Sequence, residues 1–142
     1  MSEPLEEKAH ADTSMPFPGI KALICEDDEL NQKIMQRLLA KFGVESDLAC
    51  DGREGFDKLA CQSYNIVFVD LQMPVLDGPQ LAKMVRDSSN ERIARTPLVA
   101  VTGSAHYFQD KALAETGFAD YIIKPITPHL VLQTLERLLV KN

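Results

Sequence analysis

The sequence has few of the features that mark disulfide-rich, nucleic-acid-binding or membrane proteins. Its three cysteines form no Cys-x-x-Cys pair, and their spacing from the three histidines is not that of a metal site. No run of Lys or Arg offsets the net charge of −6, which argues against direct nucleic-acid binding. No apolar run approaches the ~20 residues of a membrane span, and no secretory signal begins the chain. We therefore expect a reduced, cytoplasmic protein that does not enter a membrane.

The first 18 residues differ in composition from the rest of the 142-residue chain. They contain three prolines, four acidic residues and few large apolar side chains, so they have little surface to bury. We expect residues 1–18 to form a flexible extension or linker. Residues 19–142 have the length and apolar content of one ordinary domain.

After Gly19, short apolar runs alternate with segments of helical periodicity. The runs predict strands at Ala22–Cys25, Ile66–Val69, Pro97–Val101 and Tyr121–Ile123, and we expect a second strand, the fifth in all, at Val44–Ala49. The intervening and final segments predict helices at Leu30–Phe42, around Phe56–Ala60, and at Gly78–Asp87, His106–Glu115 and Leu130–Val140. Continuous apolar strands are typical of a parallel sheet with helices on both faces. We predict a flavodoxin-like, doubly wound (βα)5 α/β fold with strand order 2-1-3-4-5.

The ends of the predicted helices carry recognisable caps. Asp28 is expected to cap the first helix, and Gly43 follows it where a C-terminal cap is common. Thr127 or Pro128 should begin the last helix. The apolar residues of the first helix are predicted to share one face: Leu30, Ile34, Leu38, Leu39 and Phe42.

Polar residues follow four of the five predicted strands. They are Glu26 and Asp27 after the first strand, Asp70 after the third, Thr102 after the fourth and Lys124 after the fifth. Ligands bind at the carboxyl edge of such sheets, where the strand order reverses. Three carboxylates cannot share a small site fully ionised unless a cation joins them, and Mg²⁺ suits oxygen ligands. With an ammonium and a hydroxyl nearby, the arrangement predicts a phosphoryl group carried by the third carboxylate.

Each of these residues also has an ordinary interpretation. Acidic residues after a strand often only cap the next helix, Thr102-Gly103 is an unremarkable loop, and Lys124-Pro125 an unremarkable turn. The joint occurrence at four strand ends is what favours a functional site.

Four segments in this order resemble the receiver domain of two-component response regulators. They are LICEDDELNQ from Leu23, VFVDLQMPVLDG from Val67, VAVTGSA from Val99 and YIIKPI from Tyr121. The resemblance extends from about Lys21 to Leu139. The segment NQKIMQRLL looks most like receivers attached to, or served by, hybrid sensor kinases.

The resemblance implies a role for each matching residue. Asp70 would accept the phosphoryl group. Glu26, Asp27, Asp70 and the backbone carbonyl of Gln72 would hold Mg²⁺. Thr102 and Tyr121 would form the switch, and Lys124, before a cis bond to Pro125, would pair with the phosphoryl group.

The resemblance also implies partners and an output. A histidine kinase or histidine phosphotransfer protein would donate the phosphoryl group. A downstream protein target would read the face formed by the fourth predicted helix, the fifth strand and the last helix. The protein would be mainly a signalling module with self-catalysed acceptance and loss of the phosphoryl group.

Two other functional classes fit the sequence less well. An Mg²⁺-dependent phosphatase with an aspartyl nucleophile places a second acid two residues after the first, where this chain has Gln72. A flavin-binding protein of this fold needs a phosphate loop after strand one, where Glu26, Asp27 and Asp28 would repel the phosphate. The phosphatase is kept as the alternative.

Overall fold

The structure is a computed structural model that describes residues 16–140. A parallel sheet lies at the centre of this part of the chain. Its strands are β1 (Lys21–Cys25), β2 (Glu45–Ala49), β3 (Ile66–Asp70), β4 (Leu98–Thr102) and β5 (Asp120–Ile123). They lie in the order β2-β1-β3-β4-β5, and every neighbouring pair is parallel. The predicted fold class and strand order are confirmed.

Helices cover both faces of this sheet. They are α1 (Glu29–Lys41), α2 (Gly52–Cys61), α3 (Gly78–Arg86), α4 (Glu91–Ala94), α5 (Leu113–Thr116) and α6 (Pro128–Leu139), with a 3-10 turn at His106–Phe108. Alternate strand residues point to opposite faces, so Leu23 packs in one apolar cluster and Ile24 in the other. Of the described helices, none is both long and apolar enough to span a bilayer.

The segment after β4 differs from its prediction. A continuous helix over His106–Glu115 was expected, but the chain forms a 3-10 turn and then only the four-residue α5. Residues 109–115 are all exposed. Because a short helix depends on packing an apolar face, this segment has nothing to stabilise it as one. The short α4, capped by Asn90, was not predicted.

The buried face of α1 also differs from its prediction. At its start, Leu30 and Ile34 are 65% and 40% exposed, and Gln32 and Met35 are buried instead. Further along, Leu39 is buried and Leu38 and Phe42 pack against the core, as predicted. The apolar residues of this helix are numerous enough to fit two helical faces, and packing on the sheet selects the one that contains Met35.

The start and caps of the domain are well defined. Residues 1–15, most of the predicted extension, lie outside the described residues. Phe17, which the boundary at residue 18 assigned to the extension, is only 8% exposed, and its amide donates to the Phe42 carbonyl. Asp28 caps α1 and Thr127 caps α6, as predicted. Gly43 has a φ of 84°, the left-handed conformation expected after a helix.

The loop after β3 returns tightly against the start of α3. A Cβ on Gly78 would lie 2.8 Å from the Leu71 Cα and 3.0 Å from the Asp70 carbonyl oxygen. Both of those atoms are backbone, so they cannot move aside as a flexible side chain could. Asp77 and Gln80 form a capping box that fixes the same turn.

We predict that Gly78→Ala lowers the free energy of unfolding by about 1–3 kcal/mol, the usual cost of overpacking. Gly103→Ala is the control, because a Cβ there meets nothing within 4 Å. It should leave stability unchanged or raise it by up to ~1 kcal/mol, by restricting the unfolded chain. Urea unfolding of the two variants and the wild type measures this. Equal stability of the Gly78 variant would show that the turn is not held rigidly.

Candidate functional site

Three carboxylates meet at the carboxyl edge of the sheet. Glu26 and Asp27 follow β1, and Asp70 ends the neighbouring β3, with which β1 pairs in parallel. One carboxylate oxygen from each lies within 4.8 Å of the others. Glu26 is 5% exposed, Asp70 is half-buried and Asp27 is exposed. The predicted juxtaposition of these acids is therefore observed.

Burial and mutual repulsion disfavour the charged forms of two of these acids. Burial raises the pKa of Glu26 above its ordinary value, and the charge of Asp70 raises it further. Burial likewise raises the pKa of Asp70, and the charge of Asp27 adds to that rise. The backbone amide of Gln72 and the charge of Lys124 lower the pKa of Asp70 but do not cancel this rise.

Lys124 reaches Asp70 from the far side of β4. Its Nζ lies 4.0 Å from Asp70 Oδ2, and its backbone amide donates to the Thr102 carbonyl. The peptide bond to Pro125 is cis, as the resemblance implied. The ammonium thus faces the same carboxylate as the acidic pair, from the other side of the site.

Gln72 lies on the loop after β3, and Thr102 is the last residue of the neighbouring β4. The Gln72 amide donates to Asp70 Oδ1 over 3.1 Å, which orients the carboxylate. The Thr102 hydroxyl accepts from the Ser104 amide over 3.3 Å, and in the described part of the chain it makes no hydrogen bond to Asp70. The structure therefore brings Gln72 to Asp70 directly, whereas Thr102, which pairs with Ile123 of β5, is bonded to Ser104.

Tyr121 on β5 takes part in an aromatic stack. Its ring is half-buried and lies parallel to that of Phe108, with centroids 4.3 Å apart. Phe108 is buried and closes the 3-10 turn after β4. The aromatic residue assigned to the switch is thus coupled by packing to the segment that follows Thr102.

This arrangement fits a hard divalent cation. Oxygen ligands such as carboxylates are the ones that Mg²⁺ prefers. Burial and neighbouring negative charge raise the pKa of Glu26 and of Asp70, and a cation would favour the charged form of both acids. The carboxylates of Glu26, Asp27 and Asp70 could hold the ion. The carbonyl of Gln72 as a fourth ligand stays a prediction.

Sequence reasoning missed one buried polar residue beside the site. The Gln32 side chain donates from Nε2 to the Glu26 carbonyl over 2.7 Å. The only sequence signal was a polar residue among the buried positions of α1, and the wrong choice of buried face concealed it.

Comparison with known protein families matches residues 22–136 to the response regulator receiver domain. The chain is 37% identical over 114 residues to the osmosensing histidine protein kinase SLN1 of Saccharomyces cerevisiae, covering 76% of this chain and 9% of the kinase. It is 31% identical over 121 residues to two-component response regulator 24 of Arabidopsis thaliana, covering 84% of each. It spans less than a tenth of SLN1 and of two hybrid histidine kinases of Dictyostelium discoideum that it also matches.

Solved structures share the fold. The receiver domain of a Pseudomonas aeruginosa sensor histidine kinase, with a magnesium ion coordinated in its active-site cleft, superposes with a TM-score of 0.76 at 27% identity, covering 84% of this chain and 97% of that one. The Saccharomyces cerevisiae Ssk1 receiver, co-crystallised with the histidine phosphotransfer protein Ypd1, gives 0.76 at 30% identity, covering 86% and 90%.

The raised pKa values predict how stability depends on pH. Above the ordinary values of 4.5 for Glu26 and 3.8 for Asp70, the folded state keeps protons that the unfolded state has lost. Without a divalent cation, the contribution of these two carboxyl groups to the free energy of unfolding therefore declines as the pH rises from the unfolded pKa of each group to its higher folded pKa. Asp70→Asn removes one charge and should raise the melting temperature at pH 7 by 2–4 °C, the shift that about 1 kcal/mol produces.

Thermal unfolding with a chelator, from pH 5 to 8, measures this effect. Asp57→Asn is the control, because Asp57 is exposed and, among residues 16–140, forms an ion pair only with Arg53 on α2. It should shift the melting temperature by less than about 1 °C, since exposed pairs contribute little. A lower melting temperature for Asp70→Asn at pH 7 would contradict the prediction.

Proposed function

Because this chain belongs to the response regulator receiver family, we propose that it is a phosphorelay switch that is phosphorylated on Asp70. Its membership makes it a receiver domain of two-component phosphorelay signalling. One observation carries the finer proposal. The carboxylate of Asp70 lies between an acidic pair, Glu26 and Asp27, and the ammonium of Lys124.

Asp70 acts as the nucleophile. One carboxylate oxygen forms a bond to phosphorus while the bond from phosphorus to the donor's histidine nitrogen breaks, and the imidazole keeps that electron pair. The Gln72 amide holds Oδ1 over 3.1 Å, so Oδ2, which faces Lys124, is the freer oxygen. The chemistry demands positioning and charge neutralisation more than covalent assistance.

The site supplies positive charge from two sides. Lys124 Nζ lies beside Asp70 Oδ2, where it can pair with the phosphoryl oxygens. Mg²⁺, held by Glu26, Asp27, Asp70 and the Gln72 carbonyl, would offset the remaining negative charge. The raised pKa values of Glu26 and Asp70 support this role, because they reflect acids that gain from an added cation.

The output depends on Thr102 and Tyr121. A phosphoryl group on Asp70 offers acceptor oxygens to the Thr102 hydroxyl, whose present partner is a 3.3 Å contact from the Ser104 amide. Movement of that loop disturbs the Phe108–Tyr121 stack and so the surface formed by β5, α6 and the segment from His106 to Thr116. Moving such a switch from 1:99 to 99:1 takes about 5.5 kcal/mol of differential binding.

The donor is a histidine kinase or a histidine phosphotransfer protein, and the target is another protein. Leu30 and Ile34, one helical turn apart on α1, are exposed directly after the acidic loop and offer an apolar surface for the donor. Three free cysteines and a net charge of −6 fit a cytoplasmic module that acts through proteins and not through nucleic acid.

Intact mass spectrometry tests the phosphoacceptor. With Mg²⁺ and a small acyl-phosphate donor, the wild type should gain one phosphoryl group, and Asp70→Asn should gain none. Asp57→Asn should behave as the wild type, because this exposed acid lies on α2 and outside the site. The proposal fails if Asp70→Asn is still modified, or if the wild type stays unmodified with a partner kinase as well. Sustained hydrolysis of a generic phosphomonoester would favour the phosphatase instead.

Nuclear magnetic resonance tests the switch. Addition of Mg²⁺ and beryllofluoride, a phosphoryl mimic, should shift the ring resonances of Tyr121 and Phe108. Thr102→Ala should lose most of that shift and still accept a phosphoryl group on Asp70. Ser104→Ala, which removes a hydroxyl that accepts a hydrogen bond from the His106 amide, should keep the shift. A full Tyr121 response in Thr102→Ala would contradict the assignment.

A further inference from the structure

Gln32 is a buried polar side chain on a helix face that is otherwise apolar. It is 7% exposed, and the other buried residues of α1 are Met35 and Leu39. Glutamine is seldom fully buried, and a buried amide is costly unless it is hydrogen-bonded. An apolar side chain would serve packing alone at lower cost, so the amide needs another explanation.

The side-chain amide of Gln32 forms a hydrogen bond with the backbone of Glu26. Its Nε2 donates to the Glu26 carbonyl over 2.7 Å, a buried contact. The carbonyl can only accept, so the atom that faces it must be the amide nitrogen. The other contact of Nε2, to Cys50 Sγ at 3.9 Å, is long and weak.

The main chain of Glu26 is thereby hydrogen-bonded on both sides of its Cα. Its amide donates to the Ala49 carbonyl at the end of β2, and its carbonyl accepts from Gln32 on α1. The carboxylate is held separately, because Oε2 accepts from the Asp28 amide over 3.0 Å. Among the described residues, Gln32 supplies the only side chain bonded to the Glu26 main chain.

This hydrogen bond opposes the repulsion between the carboxylates of the site. Glu26 and Asp70 repel each other, and a free peptide at residue 26 could rotate its carboxylate away to relieve that repulsion. The main chain of Glu26 cannot turn while both its amide and its carbonyl are bonded, and the Asp28 amide holds the carboxylate itself. The Glu26 oxygen therefore stays within 4.8 Å of those of Asp27 and Asp70, so that the three can share a cation.

We propose that Gln32 is a positioning residue for the divalent-cation site, which it serves by holding the Glu26 backbone. The inference rests on the proposed function, because it assumes that the carboxylates bind Mg²⁺. Gln32 touches neither the cation nor the phosphoryl group. Its effect is on the affinity of a site that its hydrogen bond keeps assembled, as partners behind metal ligands generally do.

Two matched variants on the same helix test the proposal. Gln32→Met keeps the length and volume of the side chain and removes the donor. Gln36→Met makes the same change one turn later, at a half-exposed residue that forms no side-chain hydrogen bond within residues 16–140. Calorimetric titration with Mg²⁺ should show a dissociation constant at least about 10-fold higher for Gln32→Met and unchanged for Gln36→Met.

Stability without Mg²⁺ separates positioning from simple packing. Urea unfolding of both variants in a chelator shows whether each is fully folded during the titration. Wild-type affinity for Mg²⁺ in a folded Gln32→Met, with or without lower stability, would overturn the proposal and leave the proposed function intact. Absence of Mg²⁺ binding in the wild type would overturn both.

A measurement on the wild type covers the case in which Gln32→Met does not fold. In a Mg²⁺ titration followed by nuclear magnetic resonance, the Gln32 side-chain amide should shift with the same midpoint as the Glu26 backbone amide. The Gln36 side-chain amide should not shift. A Gln32 amide that does not respond while the Glu26 amide does would also overturn the proposal.

Discussion

Repulsion among the carboxylates of Glu26, Asp27 and Asp70 is the interaction on which the site depends. The pairing of β1 with β3 forces it, because parallel neighbours deliver whatever follows them to the same edge. Each strand is held by buried apolar residues along its length, so the sheet cannot relax to separate the acids. The packing of the apolar core therefore keeps the three carboxylates close together in spite of their repulsion. A cation or a change of charge on Asp70 can relieve that repulsion.

The groups around the acids hold them in place and leave the charge unbalanced. Asp28 and Gln72 contribute backbone amides, and Gln32 contributes a neutral side chain to the Glu26 carbonyl. Lys124 is the cation that touches Asp70, at 4.0 Å. Neutral donors fix the positions of the acidic residues and do not neutralise their negative charge, so the site stays assembled and remains negatively charged. That combination suits a site that must bind and release a cation and a phosphoryl group.

The positions of β1, β3, β4 and β5 could be predicted because each contains an apolar run, and a parallel order then places Glu26, Asp27 and Asp70 together. The strand β2, with the sequence ESDLA, has no such run. The buried face of α1 could not be predicted, because its apolar residues satisfy two helical faces and only packing exposes Leu30 and Ile34. The grip of Gln32 on Glu26 depends on loop geometry, which no spacing in the sequence encodes. Periodicity also overestimated the helix at His106–Glu115, since it ignores whether a face is covered.

That overestimate matters for how a change at Asp70 could reach the surface. Residues 109–115 are exposed and lie between a 3-10 turn and the four-residue α5, so little buried area opposes their movement. Phe108, in contrast, is buried and stacked on Tyr121. A loosely packed segment can change position at small cost, provided that the aromatic contact of Phe108 with Tyr121 changes with it. A long, well-packed helix at the same place would resist that change, so the weak packing here favours a switch.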